Sequence, residues 1–103
     1  LALEGARVIC VPAQWPKPRQ EHWRTLLRAR AIENQLYVVS CNACGRIGKL
    51  DFFGMSMVID PKGEVLADAG EQQTEIIAGL DWQAMDAWRA QIPCFADRRP
   101  ELY

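Results

Sequence analysis

A proline-rich loop that runs directly into a long helix constrains the fold of this chain more than any other feature. The loop contains Pro12, Pro16 and Pro18, which fix the backbone and exclude helical structure at the residues before them. From Arg19 to Gln35 the sequence is rich in helix formers and contains neither proline nor glycine. The sequence therefore predicts an extended loop followed by a helix over Arg19–Gln35.

Two short apolar runs flank this loop and helix. Ala6–Val11 (ARVICV) precedes the loop, and Leu36–Cys41 (LYVVSC) follows the helix. Nearly continuous apolar runs of this length are typical of strands buried on both faces. The order strand–helix–strand favours two parallel strands joined by a right-handed crossover, and it indicates an α/β fold. Gly5 is predicted to cap a helix that ends just before the first strand.

The second half of the chain has a different pattern, which predicts an antiparallel meander. Asn42–Gly54 contains three glycines and is predicted to be a loop, and Met55–Asp60 is predicted to be a strand. Asp60–Gly63 (DPKG) has the residue order of a type I turn. Two further strands are predicted at Glu64–Asp68 and Thr74–Leu80.

A second helix is predicted over Asp81–Gln91, with the aspartate as its N-cap. Trp82, Met85 and Trp88 lie along one side of it, which is the spacing of a helix that packs on a sheet rather than that of a cofactor site. The tail, Ile92–Tyr103, contains two prolines and two adjacent arginines and is predicted to lie along a surface.

Composition excludes several classes of partner. The chain has 103 residues, of which 50% are hydrophobic, so it can form a core as one domain or part of one. Its formal net charge of −1 is not that of a nucleic-acid-binding surface, and no apolar run approaches the roughly 20 residues needed to span a bilayer. We expect reduced thiols and a cytoplasmic location for this protein, which has four cysteines: Cys10, Cys41, Cys44 and Cys94.

The predicted first helix carries polar residues near its end. Arg30 and Glu33 are spaced i, i+3 and can pair, and Asn34 follows them. One interpretation is a buried polar cluster that braces a nearby site, in which case each charge must be hydrogen-bonded. The other is an ordinary solvated helix face. The sequence leaves both open.

Cys41 and Cys44 form a CxxC pair, but we predict neither a metal site nor a redox centre there. A structural zinc site needs two more ligands at suitable spacing, and a thioredoxin-like centre needs the pair at a helix N-terminus. Residues 45–48 (GRIG) do not predict a helix. The only histidine, His22, is interpreted as a packing or solvated residue rather than a catalytic base.

Two loop positions are the best candidates for a ligand pocket. Trp15 follows the first predicted parallel strand and Asn42 follows the second, and open α/β sheets bind ligands at the carboxyl ends of their strands. The alternatives remain that Trp15 is a loop anchor that fills a gap, and that Asn42 is a turn residue bonded to its own backbone.

Four segments occur in an order that resembles the nitrilase superfamily of carbon–nitrogen hydrolases, on its amidase and omega-amidase side. These segments are LALEGARVICVPAQWP, HWRTLLRARAIENQLYVVSCNACG, FFGMSMVIDPKGEVLADAG and DRRPELY. The resemblance implies a four-layer α-β-β-α sandwich that assembles as a homodimer or larger homo-oligomer. It also implies hydrolysis of a small-molecule amide through a cysteine nucleophile, a glutamate base and a lysine, with no cofactor.

None of those three catalytic residues matches a position in this chain. The resemblance places them upstream of Leu1, so residues 1–103 are expected to be the C-terminal portion of a single hydrolase domain and to be inactive alone. By resemblance, Pro12, Ala13 and Trp15 shape the substrate pocket with Asn42 nearby. The resemblance also covers the helix motif RAxEN, and it implies that the polar residues of this motif support the structure: Arg30, Glu33 and Asn34.

Two alternatives remain. One is a truncated, catalytically inactive relative retained for self-association. The other is a thiol or zinc module centred on the CxxC pair.

Overall fold

The computed structural model describes residues 1–103 and contains six strands and two α-helices. Their bounds are β1 Val8–Ala13, α1 Gln20–Asn34, β2 Tyr37–Asn42, β3 Cys44–Ile47, β4 Leu50–Phe53, β5 Met57–Ile59, β6 Val65–Asp68 and α2 Trp82–Gln91. Short 3₁₀ turns cover Ala2–Glu4 and Pro100–Leu102. The first of them ends at Gly5 with φ 97°, so the predicted glycine cap is confirmed.

A four-stranded sheet in the order β1-β2-β5-β6 forms the centre of the molecule. β1 and β2 are parallel, with Val8 opposite Tyr37 and Ala13 opposite Asn42, which confirms the predicted strand–helix–strand unit. β5 and β6 add to β2 in antiparallel fashion. The predicted turn connects them, because the Gly63 N–H donates to the Asp60 carbonyl at 2.9 Å. The α/β class is therefore confirmed.

α1 covers one face of this sheet through a narrow apolar stripe. Trp23, Leu27 and Ala31 are buried, at the i, i+4, i+8 spacing of one helix face. They join a core whose other members come from the sheet and its connections: Leu36, Val38, Phe53, Met57 and Ile59. Burial of this stripe holds the parallel strand pair and its connecting helix together.

The opposite face of the sheet is covered only at one end. α2 lies there, and the Tyr37 hydroxyl donates to the Asp81 carbonyl at 3.0 Å and accepts from the Asp81 N–H at 2.9 Å. Farther along the face, Cys10 and Pro12 are exposed. The prediction that the first strand spans Ala6–Val11 and is buried on both faces is therefore wrong: the strand begins at Val8, and within this chain no element covers its second face.

The glycine-containing segment Asn42–Gly54 is a β-hairpin, and its prediction as a loop is wrong. β3 and β4 pair antiparallel around a two-residue turn, with Ile47 opposite Leu50. Gly48, the first turn residue, has φ 62°, a conformation that glycine adopts without strain. The hairpin also contacts the proline-rich loop, because the Lys17 N–H donates to the Asp51 carbonyl at 2.9 Å.

Two strand predictions need correction. The strand predicted from Met55 begins at Met57, because Met55 has φ 55° and cannot join a ladder. Thr74–Leu80 is not a strand. Its burial alternates, with Ile76 half-buried and Ile77 94% exposed, but no strand of this chain lies beside it to provide ladder hydrogen bonds.

The second helix is confirmed, with Asp81 as its N-cap accepting from the Ala84 N–H at 2.9 Å. Of the three large side chains predicted along its packed side, Met85 is fully buried, whereas Trp82 is partly exposed and stacks edge-on against Tyr37. Neither α1 nor α2 combines the length and apolar character required to cross a membrane.

Candidate functional site

The loops that follow β1 and β2 meet at one edge of the sheet, and Asn42 joins them. The Trp15 N–H donates to Asn42 Oδ1 at 2.6 Å. Asn42 Nδ2 in turn donates to the carbonyl oxygens of Trp15, at 3.2 Å, and Gly54, at 2.9 Å. Asn42 is buried, and its side chain bonds to the backbone of other segments rather than to its own. The two predicted pocket residues are therefore in direct contact.

The Trp15 side chain is half-buried and belongs to an aromatic row. Its ring centroid lies 5.6 Å from that of Trp23, which lies 6.4 Å from that of Phe53. Trp23 is itself fixed by its indole N–H, which donates to the Met55 carbonyl at 2.8 Å. Trp15 thus anchors its loop on the core, and the residue as a whole is partly accessible.

Pro12 and Ala13 lie on opposite faces of the sheet. Ala13 is half-buried and packs against the core below α1. Pro12 is exposed on the uncovered face, where it lies opposite Cys41 of the neighbouring strand. Only Pro12 among the predicted pocket residues therefore belongs to the open face of the sheet.

A cavity of about 160 Å³ lies beside Asn42. Its lining contains no charged side chain and includes Cys41, Asn42, Cys44, Ser56, Gln72, Gln73 and Thr74. Sequence reasoning missed the residues that follow β6. That segment reaches the cavity through backbone contacts, because the Met55 N–H donates to the Gly70 carbonyl at 2.7 Å and the Ala69 N–H donates to the Ser56 carbonyl at 2.9 Å. Such long-range pairings leave no short sequence signal.

Glu71 ties the same segment to the start of α1. Its carboxylate accepts from Lys17 Nζ at 3.2 Å and from Gln20 Nε2 at 3.0 Å. A second ion pair, Arg24 to Asp68 at 2.7 Å, joins α1 to the end of β6. The proline-rich loop, the start of α1 and the segment after β6 therefore form one connected rim.

Arg30 and Glu33 form an ion pair, and their side chains are 59% and 50% exposed. Asn34 Nδ2 donates to the Arg30 carbonyl at 3.0 Å. The interpretation as a buried polar cluster is wrong for this chain, because the buried stripe of α1 lies on a different face. Glu33 and Asn34 instead border a second, open cavity of about 320 Å³ together with Leu3, Cys94, Phe95 and Arg98.

All four cysteines are free thiols, and His22 is exposed on α1. Cys41 and Cys44 border the same cavity. No group of three or more His, Cys, Asp or Glu side chains is placed to hold a metal ion. The arrangement at the sheet edge offers neutral hydrogen-bonding groups, one accessible indole and two thiols.

Comparison with known proteins agrees with the fold and with the order of the segments. Residues 1–90 match the carbon–nitrogen hydrolase family. The chain is 45% identical to a 2-oxoglutaramate amidase of Bacillus subtilis, over 97% of this chain and 39% of the amidase. It is 46% identical to the omega-amidase YafV of Escherichia coli K12, over 82% of this chain and 34% of that protein.

A solved structure gives the same result. Nit3 of Saccharomyces cerevisiae, described as a member of branch 10 of the nitrilase superfamily, superposes with a TM-score of 0.87 at 33% identity, over 95% of this chain and 37% of Nit3. The chain thus spans 34–39% of the length of these three relatives. It belongs to the carbon–nitrogen hydrolase family of the nitrilase superfamily.

Proposed function

We propose that this chain is the C-terminal portion of a hydrolase that cleaves the non-peptide C–N bond of a small amide. The observation that carries the proposal is the family match over residues 1–90. The names of the two amidases described above support a small amide as the substrate class. The Glu, Lys and Cys that the family resemblance implies are then supplied by residues that precede Leu1 in the gene product.

The proposed chemistry proceeds through an acyl-enzyme. The glutamate takes the proton of the cysteine thiol as the sulfur attacks the amide carbonyl carbon, and the lysine stabilises the tetrahedral intermediate. The glutamate gives this proton to the nitrogen as the C–N bond breaks, and the nitrogen leaves as ammonia or an amine. In the second half, the glutamate takes a proton from water as the water oxygen attacks the thioester, and this proton passes to the sulfur as the C–S bond breaks and the acid is released. No residue of this chain takes part in these bond changes.

The contribution proposed for this chain is one wall of the substrate pocket. Pro12, Ala13, Trp15 and Asn42 lie at the carboxyl ends of β1 and β2, where α/β sheets bind ligands. Arg30, Glu33 and Asn34 are proposed to support the fold locally, by linking side chains and backbone within the last turn of α1.

The first experiment is to read the coding sequence immediately before the Leu1 codon and to assay the encoded full-length protein. We expect an in-frame segment with a cysteine shortly before Leu1, and ammonia release from small primary amides such as omega-amides of dicarboxylic acids. Replacement of that cysteine by alanine is the matched control and should abolish release. A start codon at this point, or a full-length protein without turnover, would favour the inactive self-associating relative instead.

A second measurement tests the chain on its own. Residues 1–103 should release no ammonia, because the proposed nucleophile is not among them. Clear ammonia release by purified residues 1–103 would overturn the proposal that the catalytic residues precede Leu1.

We also propose self-association and a cytoplasmic location for the full-length protein. The exposed apolar side chains on the outer side of α1 and in the tail, Leu26, Leu102 and Tyr103, support an interface with a second copy. Light scattering on the full-length protein should give a mass of at least two chains.

The proposed cytoplasmic location is supported by the four free thiols, which fit a reducing compartment. Fractionation of cells that express the tagged protein tests this location.

A further inference from the structure

We propose that Asn42 is a positioning residue: its side chain holds the Trp15 loop in place for the substrate and does not itself bind substrate. This inference rests on the proposed amide hydrolysis and assigns a specific task within it. It also revises the expectation that Asn42 contacts the ligand directly.

The first argument is the number of hydrogen bonds that the amide can make. An asparagine side chain has two N–H donors and one carbonyl oxygen. Both donors of Asn42 are occupied, by the carbonyl oxygens of Trp15 and Gly54, and its oxygen accepts from the Trp15 N–H. No N–H remains to donate to a substrate carbonyl or carboxylate, and only the second lone pair of the oxygen, on a buried residue, is without a partner. The groups around the amide also fix its orientation, because a flipped amide would place its NH₂ group against the Trp15 N–H and its oxygen against two carbonyl oxygens.

The second argument is the location of the groups that Asn42 connects. Trp15 lies in the loop after β1, Asn42 ends β2, and Gly54 lies between β4 and β5. The Asn42 N–H donates to Ser56 Oγ at 3.0 Å, which fixes the backbone at the same point. One buried side chain, 6% exposed, thus joins three segments at the carboxyl edge of the sheet.

The third argument is that Asn42 supplies hydrogen-bond partners for both backbone groups of Trp15. The loop has other anchors, because the Trp15 ring packs against Trp23 and the next residue, Pro16, pairs with Phe52. The Trp15 N–H, however, donates to Asn42, and the Trp15 carbonyl oxygen accepts from Asn42. Loss of the amide would leave partly buried backbone groups without partners. The loop would then shift or fluctuate, and with it the accessible part of the indole ring.

The test uses the full-length gene product and three variants. Asn42→Asp preserves the size of the side chain and the acceptor for the Trp15 N–H. It replaces the NH₂ group by an oxygen, which then faces the carbonyl oxygens of Trp15 and Gly54 without a hydrogen bond. Asn42→Ser removes all three bonds. Asn34→Asp is the matched control, because it makes the same chemical change at a side chain whose hydrogen bond is to the Arg30 carbonyl within α1.

The first readout is hydrogen exchange at the Trp15 amide, with the α2 amides as a check on overall folding. We expect at least about tenfold faster exchange at Trp15 in Asn42→Ser, the effect of losing about one buried hydrogen bond, a smaller increase in Asn42→Asp, which keeps the acceptor for this N–H, and no change in Asn34→Asp. Unchanged protection at Trp15 in a folded Asn42→Ser protein would overturn the inference, whether or not the enzyme is active.

The second readout separates positioning from direct binding. Asn42→Ser should lower kcat/KM for a small amide by about tenfold or more in the normal background, but by no more than about twofold in a Trp15→Ala background, because the group that Asn42 positions is then missing. Effects that simply multiply would show that Asn42 contacts the substrate itself and would overturn the proposal. Failure of the proposed function is distinguishable, because the unsubstituted protein would then release no ammonia while the exchange measurement still decides whether Asn42 holds the loop.

Discussion

At the residue scale, Gly54 shows how closely the segments around the candidate pocket approach one another. It has φ +66°, and a Cβ atom added there would lie 2.8 Å from the Gly70 carbonyl oxygen and 3.1 Å from Cys44 Cβ. Gly48 has a similar φ of +62°, but a Cβ atom added there would have no neighbour within 4 Å. Substitutions at Gly54 and Gly48 therefore separate the energetic cost of a left-handed backbone conformation from the cost of a steric clash.

We predict that Gly54→Ala destabilises the protein more than Gly48→Ala does. Both variants place alanine in the left-handed region, at a cost of about 1–2 kcal/mol. Gly54→Ala must in addition push apart the backbone contact to Gly70, which we expect to add about 1–3 kcal/mol. Urea unfolding of the two variants measures the difference, and equal free energies of unfolding would show that the close approach around Gly54 is absent in solution.

The sequence could predict local residue roles at this scale but not distant ones. Asp60–Gly63 is a turn because its residue types favour one, and Asp60 Oδ1 accepts from the Lys62 and Glu64 N–H groups at 2.8 and 2.9 Å. The Asn42 side chain instead finds its partners 27 and 12 positions away. The approximate place of Asn42 was predictable from topology, whereas its bonds depend on a hairpin that the sequence did not predict.

At the element scale, the extent of α1 was predictable from the sequence but the face that it buries was not. Its bounds, Gln20–Asn34, differ from the prediction by one residue at each end. The buried stripe, however, is Trp23, Leu27 and Ala31, whereas Leu26 is 44% exposed and Arg30 points to solvent. Leu26 and Leu27 lie in adjacent rows on this helix, so periodicity alone could not choose between them.

Leu27 and Leu26 provide a direct test of this face. We predict that Leu27→Ala lowers the free energy of unfolding by about 2–4 kcal/mol, because the side chain is 6% exposed and its removal leaves a cavity. Leu26→Ala should cost less than about 1 kcal/mol in the unassociated chain. Denaturant melts of both variants provide the comparison. A larger loss of stability in Leu26→Ala than in Leu27→Ala would show that α1 buries a different face from that of Leu27.

The Arg30–Glu33 pair permits a second test at this scale. Because both side chains are at least half exposed, solvent screens their attraction, and we expect Arg30→Ala to change the free energy of unfolding by less than about 1 kcal/mol. Thermal melts at low and high salt measure the effect, with Glu33→Ala as the matching variant. A loss of several kcal/mol in the full-length protein would show that the pair becomes buried there and acts as more than a local support.

At the scale of the whole molecule, the α/β unit was predictable and the covering of its sheet was not. The order of apolar runs indicated two parallel strands around a helix, and residue types indicated the β5–β6 turn and α2. The segment 74–80 has the sequence of a strand but forms none, because no strand of this chain lies beside it. A segment with high strand propensity forms a strand only when another strand pairs with it.

The uncovered sheet face leads to a prediction about cysteine reactivity. Cys10 and Cys41 are exposed on that face, on adjacent parallel strands, and Cys94 is exposed in the tail. If the full-length protein has the further layers that the family resemblance implies, they should cover this apolar face, because sheet faces are stable only when buried against another element. We therefore expect a thiol reagent to label Cys94 at least about tenfold faster than Cys10 or Cys41 in the folded full-length protein, as read by mass spectrometry of the labelled peptides.

Denatured protein is the control for this labelling, and all three cysteines in it should react at similar rates. Equal labelling in the folded protein would mean that this face stays open to solvent, and the chain would then be a single-sheet unit rather than half of a sandwich.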